Sequence, residues 1–294
     1  MGPPVAAIAR RLGQTLGREP KLRLAQQVGG GCINQCWRAS DGGQSWFIKV
    51  NDASRAECFA AEADGLRALA RGPVRVPRAL CHGEAEGQSF IVLEWFELGA
   101  GAGSGYARLG EQLARLHAIT GPHFGWERDN YIGSTPQINT PTASWPRFFG
   151  DARLAPQLAL IEKKGHAGLS ARGERLLEAL PRLFGAHAPR ASLLHGDLWG
   201  GNAAFLADGT PVLFDPAVYY GDREADLAMT ELFGGFPEDF YAAYRARAPL
   251  ESGNRVRKTL YNLYHVLNHA NLFGGGYPEQ AARMIDVLLA ETKG

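Results

Sequence analysis

The fold is decided by the stretch Leu193-Leu-His-Gly-Asp-Leu-Trp-Gly-Gly-Asn202. Residues 192–195 predict a short buried strand that ends at His195, and the glycines that follow predict a tight turn. Asp197 and Asn202 stand five positions apart in this turn. A carboxylate and an amide at this spacing, directly after a strand, are the groups that enzymes of phosphoryl transfer place at the reaction centre.

The residues after Asn202 add a second carboxylate. Two short strands are predicted at 203–206 and 211–214, joined by a turn at Asp208-Gly209. Such a hairpin folds Asp215, which follows its second strand, back beside Asn202. Their oxygen atoms could then meet at one Mg²⁺, a cation that prefers oxygen ligands and takes few of them from the protein when phosphates and waters supply the rest.

Two interpretations of this segment compete. Asp and Asn are common in β-turns, so an isolated Asp-x-x-x-x-Asn would most simply belong to a surface hairpin. Here the Asp follows His-Gly on an apolar strand and a second Asp closes the hairpin, which favours phosphoryl transfer. In that interpretation Asp197 accepts the proton of the attacking hydroxyl, and Asn202 and Asp215 hold the metal.

Length and composition argue against several classes of protein. The chain has 294 residues, 45% hydrophobic and 21% charged, which is enough for one large domain or two lobes with a hydrophobic core. Its formal net charge of +1 argues against a nucleic-acid partner. No stretch approaches the roughly 20 apolar residues of a membrane span, and residues 1–18 predict an amphipathic helix that lacks the order of a signal peptide. We therefore expect a cytoplasmic protein that binds neither nucleic acid nor membrane, and the sequence leaves open whether it is a monomer or a homodimer.

Secondary-structure patterns divide the chain into two lobes, residues 1–96 and 97–294. The first lobe alternates strands and turns around one helix, and the second is mainly helical beyond a glycine-rich run at 99–105. An α+β fold with a five-stranded sheet is therefore predicted. In the first lobe we expect strands at 21–28, 33–39, 46–50, 76–81 and 89–94 and a helix at 54–69. In the second we expect helices at 106–119, 144–160, 169–184, 223–233, 238–247, 255–273 and 279–291.

The first lobe carries the features of a phosphate-binding site. Gly29-Gly30-Gly31, followed by Cys32, lies between two strands, where backbone N–H groups can approach phosphates closely. A plain hairpin turn is the alternative, because no Walker A pattern follows.

Lys49 lies in an apolar strand, where a charge is costly unless it is paired. We expect it to contact nucleotide phosphates and Glu62 of the next helix; the alternative is an edge-strand lysine in solvent.

Glu94, Trp95 and Phe96 end the first lobe just before the glycine-rich run. A hinge between the lobes would stand at this place, with its backbone N–H and C=O groups against the edge of adenine. We therefore expect these three residues to bind the nucleotide base.

The four cysteines lie in the first third of the chain. Neither a disulfide framework nor a zinc site is expected, because the chain is of the large intracellular type and further zinc ligands do not follow. Cys36, Cys58 and Cys81 are predicted to be inert thiols. Cys32 stands in the phosphate loop, where oxidation could block ATP or link two subunits; an inert thiol is the alternative there as well.

Several segments together resemble the fructosamine kinase (ketosamine-3-kinase) family, over about residues 5–290. The His-Gly-Asp motif with an Asn five residues later is shared with aminoglycoside phosphotransferases and choline kinases. Trp199 and the segments around Asn130 and Gln137 narrow the resemblance. The matching segments are Val28–Asn34, Phe47–Asn51, Asp129–Gly133, Pro136–Asn139, His195–Asn202, Phe214–Ala217 and Asp222–Met229.

The resemblance implies a bilobal protein-kinase-like fold and the ATP- and Mg²⁺-dependent phosphorylation of ketosamines, the products of amine glycation, at the third carbon of the sugar. The phosphate makes the adduct unstable, so the sugar leaves and the amine is restored. In this chain the resemblance implies Asp197 as general base and Asn202 and Asp215 as Mg²⁺ ligands. Lys49 with Glu62 would hold the α- and β-phosphates.

The acceptor side is predicted from residues of the second lobe. Trp199 is placed to stack on a sugar ring, the alternative being a core position. His265 and Asn268 lie on the predicted helix 255–273 and indicate a wall of the acceptor pocket. His265 and His269 have the spacing of a zinc protease motif, but Val266 stands where that motif requires Glu.

Three further positions bear on the site. Asp226 lies near the start of the predicted helix 223–233, and the N-terminus of a helix favours an acidic side chain. The alternative is that Asp226 braces the His-Gly-Asp segment. Pro216 replaces the Phe of the Asp-Phe-Gly motif of protein kinases, and Gly201 stands where Ser is usual before the Asn. Neither replacement removes a ligand group.

Rival functions stay open at this point. A dinucleotide-binding module is disfavoured because no Gly-x-Gly-x-x-Gly fits. A related phosphotransferase acting on an aminoglycoside, choline or homoserine shares the chemistry but not the acceptor. A kinase-like binding protein without turnover is disfavoured by the intact set Lys49, Asp197, Asn202 and Asp215. The sequence leaves open the sugar, the amine, and whether the ketosamine is free or protein-bound.

Overall fold

The computed structural model describes residues 2–29, 34–99 and 104–292. Its N-terminal part contains a five-stranded antiparallel sheet in the order β1-β2-β3-β5-β4, which confirms the predicted sheet. The strands are β1 (Arg23–Val28), β2 (Gln35–Ser40), β3 (Ser45–Asp52), β4 (Ala79–Ala85) and β5 (Gln88–Glu94), and the helices of this part are α1 (Val5–Leu16) and α2 (Ala56–Leu69).

The two faces of this sheet bury different partners. Trp46, Ile48 and Val50 alternate along β3 and join α1 in one hydrophobic cluster. Because side chains alternate between the faces of a strand, Lys49 points to the opposite face, against which α2 packs. The pattern of β3 therefore directs a lysine toward the helix that carries Glu62.

The C-terminal part is mainly helical, which confirms the α+β class. Its short strands are β6 (Asn130–Ile132), β7 (Thr135–Gln137), β8 (Ser192–Leu194), β9 (Ala203–Phe205), β10 (Pro211–Leu213) and β11 (Tyr219–Gly221). Its helices are α3 (Gly105–Leu116), α4 (Trp145–Phe149), α5 (Ala155–Lys163), α6 (Ala167–Phe184), α7 (Glu224–Leu232), α8 (Glu238–Arg247), α9 (Asn254–Phe273) and α10 (Tyr277–Glu291).

The two parts share buried surface. One hydrophobic cluster contains Ile91 of β5 and Leu66 of α2 together with Leu109 of α3 and Leu193 of β8. The division of the chain at residue 96 stays a prediction. None of the helices in the described ranges combines the length and the apolar character that a bilayer crossing requires.

Three predicted elements are wrong in their bounds, and one of them is the helix expected at 106–119, which ends at Leu116 as α3. The strand expected at 76–81 is β4, three residues later, because Pro77 has no N–H to donate to a ladder. The single helix expected at 144–160 is interrupted by a π-helical turn at Gly150–Leu154 between α4 and α5. Pro156 cannot donate the hydrogen bond that would continue one regular helix through this turn.

The hairpin predicted after Asn202 is confirmed as β9 and β10. Two other pairings were missed: β6 with β7, and β8 with β11. The strands β6, β7 and β11 have three residues each, too few to show an alternating pattern in the sequence, and β8, which was predicted as a strand, gave no sign of its partner.

Candidate active site

A cleft of about 680 Å³ lies between the two parts of the molecule. Its walls come from β3, α2, the β6–β7 hairpin, residues 195–202 (the His-Gly-Asp loop), residues 214–218 (the Asp215 segment) and α9. The predicted residues that line it are Lys49, Glu62, Asp197, Trp199, Asn202, Asp215, His265 and Asn268.

Asp197 and Asn202 are joined directly. The amide nitrogen of Asn202 donates to the backbone carbonyl of Asp197 at 2.8 Å and to its carboxylate at 3.2 Å. Burial, with the nearby charge of Asp215, raises the pKa of Asp197 to about 7. Asp197 is thus a stronger base than an exposed aspartate. The side-chain oxygen of Asn202 takes part in none of the hydrogen bonds among the described residues.

Lys49 connects the sheet with the C-terminal part. Its ammonium lies 2.7 Å from Oε1 of Glu62 and is also hydrogen-bonded to Asp215. Burial lowers the pKa of Lys49, but the charges of Asp215 and Glu62 outweigh burial, so the net direction is upward. Lys49 is therefore a buried, permanently charged cation that faces the cleft.

Asp226 of α7 braces the His-Gly-Asp loop. Its carboxylate accepts hydrogen bonds from the backbone N–H groups of His195 at 2.7 Å and Gly196 at 2.8 Å, and lies 3.1 Å from Nε2 of His117. The interpretation of Asp226 as a helix cap is wrong, since its partners lie in another element. Burial alone raises the pKa of Asp226, but these hydrogen bonds and His117 lower it overall.

The loop also depends on a glycine. Gly196 has φ of 83°, and a Cβ on it would stand 2.0 Å from the carbonyl oxygen of Ala217. A side chain here would push the loop away from the Asp215 segment. The Gly of His-Gly-Asp is therefore required by both conformation and space.

Trp199 lies at the rim of the cleft with 36% of its surface exposed. Its indole covers Gly201, where a Cβ would stand 2.4 Å from the ring, and it meets Phe233 edge-on at 5.8 Å. The absence of a side chain at position 201 thus leaves room for the indole.

The helix α9 supplies a neutral wall. Burial lowers the pKa of His265 to about 3, and no described group bonds its Nδ1. His269, one turn later, donates from Nδ1 to the carbonyl of His265 at 2.8 Å, and burial lowers the pKa of His269 as well. Asn268 accepts from Gln157 at 3.2 Å. His269 and Phe233, which were not predicted as site residues, also line the cleft. The four-residue spacing between His265 and His269 is the feature of the sequence that could have pointed to His269.

The predicted hinge residues Glu94, Trp95 and Phe96 are not among the residues that line the cleft. Glu94 and Trp95 line a separate depression of about 440 Å³, where the guanidinium of Arg38 lies over the Trp95 ring. The ring of Phe96 contacts that of Phe214, next to Asp215, at 6.5 Å between centroids. Side-chain contact of Glu94 or Trp95 with the cleft is thus not seen, and a role for their backbone stays a prediction.

The predicted phosphate loop is described only in part. Gly29 follows β1, with no described atom within 4 Å of where a Cβ would stand. Gly30, Gly31 and Cys32 lie outside the described residues. The other three cysteines, Cys36, Cys58 and Cys81, are free thiols.

Comparison with known proteins identifies the family. The sequence profile described as fructosamine kinase matches residues 4–291. A Synechocystis protein named "probable ketoamine kinase" is 49% identical over 284 residues, which are 96% of each chain. The chain belongs to the fructosamine kinase family. The predicted family is confirmed, and with it the class of enzyme, an ATP-dependent kinase that acts on a hydroxyl group.

Further relatives agree with this family membership. A chloroplastic protein-ribulosamine 3-kinase of Oryza sativa subsp. indica is 42% identical over 95% of this chain and 82% of its own. The crystal structure of a candidate fructosamine-3-kinase from Haemophilus somnus 129PT superposes with a TM-score of 0.88 at 31% identity, covering 96% of each chain. An aminoglycoside phosphotransferase, APH(4)-Ia, shares 16% identity over 98% of this chain and 99% of its own, with a TM-score of 0.61, and shows the kinase-like fold alone.

Proposed function

We propose that this fructosamine kinase family member transfers the γ-phosphate of ATP to the 3-hydroxyl of a ketosamine, a fructosamine or ribulosamine adduct. One observation carries the proposal: Lys49 from the sheet reaches Asp215, while Asp197 and Asn202 line the same cleft. The relatives named ketoamine kinase and protein-ribulosamine 3-kinase support the choice of acceptor.

Asp197 is proposed as the general base. A carboxylate with a pKa of about 7 is a better proton acceptor than an ordinary aspartate and is still substantially ionised near neutral pH. The hydrogen bond from Asn202 fixes the carboxylate at the end of a braced loop. The proton of the attacking hydroxyl would pass to Asp197 while the remaining groups hold the phosphates in place.

Asn202 and Asp215 are proposed to hold Mg²⁺. The donor set fits this cation, because an amide oxygen and a carboxylate, both facing the cleft, are hard oxygen ligands. When bound, Mg²⁺ neutralises charge on the phosphates. Lys49, held by Glu62, would contribute a second positive charge at the α- and β-phosphates.

The neutral wall of α9 is proposed to face the sugar and its amine. His265 and Asn268 line the cleft on this side, and an imidazole and an amide can exchange hydrogen bonds with sugar hydroxyls. Trp199 offers its exposed face to the sugar ring. These three side chains would orient the third hydroxyl toward Asp197.

The nucleotide base and the product complete the proposal. The backbone of Glu94, Trp95 and Phe96 is proposed to meet adenine, and Gly29–Cys32 to meet the phosphates. Phosphorylation at the third carbon would destabilise the ketosamine and lead to deglycation. A cytoplasmic location and a monomeric or homodimeric state, without nucleic-acid or membrane partners, stay predictions.

An ATP-consumption screen tests the acceptor. The panel would contain fructosamine, ribulosamine and erythrulosamine adducts of one protected lysine, with an aminoglycoside, choline and homoserine as competing acceptor classes. We expect turnover with the ketosamines only, and loss of turnover in Asp197→Asn. Asp208→Asn, in the exposed turn between β9 and β10, is the matched control and should retain activity. Turnover with only a non-ketosamine acceptor would contradict the proposal.

A further inference from the structure

The Asp215 segment is held by backbone hydrogen bonds on both sides of Asp215. On its N-terminal side, Phe214 donates to the carbonyl of Asn202 at 2.9 Å, and its own carbonyl lies 2.9 Å from Nε2 of His195. On its C-terminal side, Ala217 donates to the carbonyl of His195 at 2.9 Å. These bonds come from the His-Gly-Asp loop.

The β6–β7 hairpin holds the segment from the other side. The side-chain amide of Gln137 donates to the carbonyl of Ala217 at 3.1 Å, and that of Asn130 donates to the carbonyl of Val218 at 2.8 Å. Both amides are buried, with Gln137 only 1% exposed. These two hydrogen bonds fix the carbonyl groups two and three residues beyond Asp215.

Gln137 is fully committed to this arrangement. Its amide nitrogen donates to Asn130 at 2.8 Å as well as to Ala217, and its oxygen accepts from the hydroxyl of Tyr264 at 2.8 Å. Reversal of the amide would set its oxygen against two oxygen acceptors, so the hydrogen bonds fix its orientation. Tyr264 stands on α9 directly before His265, which lines the acceptor side of the cleft.

Asp215 needs such support because of its backbone. It has φ of 51°, a left-handed conformation that is uncommon in residues other than glycine. Its carboxylate must also stay within reach of Lys49. A segment held on one side only could relax out of this conformation and carry the carboxylate away.

We propose that Gln137 is a positioning residue that sets the place of Asp215 by holding the carbonyl of Ala217, and that Tyr264 ties this position to α9. The proposal rests on the proposed function in one respect, the role of Asp215 as a metal ligand. This positioning role gives a structural reason for the Pro136–Asn139 and Asp129–Gly133 segments, which in the sequence alone indicated only the family. A chain of buried hydrogen bonds then runs from Tyr264 on α9 through Gln137 to the carbonyl of Ala217, two residues beyond the proposed metal ligand Asp215.

The test measures nucleotide binding without any acceptor. Binding of a fluorescent ATP analogue is titrated with Mg²⁺ in the parent chain, in Gln137→Glu and in Tyr264→Phe, and amide hydrogen exchange over residues 214–218 is followed in the metal-free proteins. Gln137→Glu should raise the Mg²⁺ concentration for half-maximal binding roughly 10- to 100-fold, the usual effect of removing a group that orients a ligand. Tyr264→Phe should act in the same direction by a smaller factor, and both should speed exchange.

Tyr261→Phe is the matched control. Tyr261 is a buried tyrosine of the same helix, but its hydroxyl bonds Asp222 and the indole of Trp145. We expect it to lower thermal stability while the Mg²⁺ dependence stays as in the parent. If Gln137→Glu does not fold, Tyr264→Phe, which removes a single hydroxyl, decides the outcome.

An unchanged Mg²⁺ dependence in a folded Gln137→Glu, or an equal shift in Tyr261→Phe, would overturn the positioning role while the kinase assignment stands. A parent chain that binds the nucleotide with no response to Mg²⁺ would instead overturn the proposed metal site and this inference together.

Discussion

Lys49 and Asp215 form an ion pair across the cleft although 166 positions separate them in the chain. Glu62 holds the same ammonium from the side of α2. One cation thus joins the sheet, the helix beside it and the segment that follows the β9–β10 hairpin. A nucleotide bound here would meet a positive charge whose position is set by two carboxylates from different parts of the fold.

Replacement of Lys49 tests this arrangement. Lys49→Met should lower kcat/KM for ATP by roughly 100- to 1,000-fold, because it removes a preorganised charge from the phosphates. Steady-state kinetics at varied ATP would measure the loss. Lys21→Met, at an exposed position before β1, is the control and should behave as the parent. An ATP dependence equal in both variants would show that Lys49 does not face the nucleotide.

The two adjacent glycines of the His-Gly-Asp loop should respond differently to a methyl group. In Gly201→Ala the new Cβ meets the Trp199 indole and displaces it, whereas Gly200 has open space around it. We expect Gly201→Ala to raise KM for the ketosamine about two- to tenfold, the equivalent of the ~0.5–1.5 kcal/mol of an aromatic contact. KM for ATP should stay unchanged, and Gly200→Ala should resemble the parent in both. Equal effects of the two substitutions would remove Trp199 from the acceptor site.

His265 should make the folded chain sensitive to acid. Its pKa of about 3 in the folded state lies below the ordinary value of 6.5, so the unfolded chain binds more protons between these limits. Stability is therefore lost as the pH falls from about 6.5 toward 3, and at pH 5 this one group should account for about 2 kcal/mol.

Urea unfolding of the parent and of His265→Gln at pH 7.5 and pH 5 measures this term. The stability difference between the two pH values should be smaller in His265→Gln by about that amount. His123→Gln, at an exposed histidine, is the control for the loss of an imidazole as such. A pH dependence that is the same in all three proteins would contradict the assignment.

The sequence allowed the polar side chains that meet in the cleft to be predicted because their signals are local. Asp197 and Asn202 stand at a fixed spacing in one turn, and the β9–β10 hairpin returns Asp215 over a short distance. Lys49 is a charged residue in an apolar strand, and burial of a charge is costly unless the charge is paired. Glu62 is the carboxylate of α2 that pairs with Lys49.

The supports of these residues could not be predicted in the same way. Gln137 and Tyr264 meet across 127 positions, and Gln137 lies in a three-residue strand with no periodicity to reveal it. Asp226 lies in the first turn of a helix, where an acidic residue is favoured whatever else it contacts. The sequence pattern therefore did not reveal its hydrogen bonds to the backbone of His195 and Gly196. Such contacts depend on the assembled fold.

Asp197→Asn tests the central claim most directly. The substitution keeps the shape of the side chain and removes the proton acceptor, so the rate of phosphate transfer to the ketosamine should fall roughly 10²- to 10⁴-fold while the affinity for the nucleotide is retained. Single-turnover transfer from ATP, measured beside nucleotide binding in the same preparation, gives both numbers. A rate within about twofold of the parent, with binding intact, would contradict the claim that Asp197 is the base.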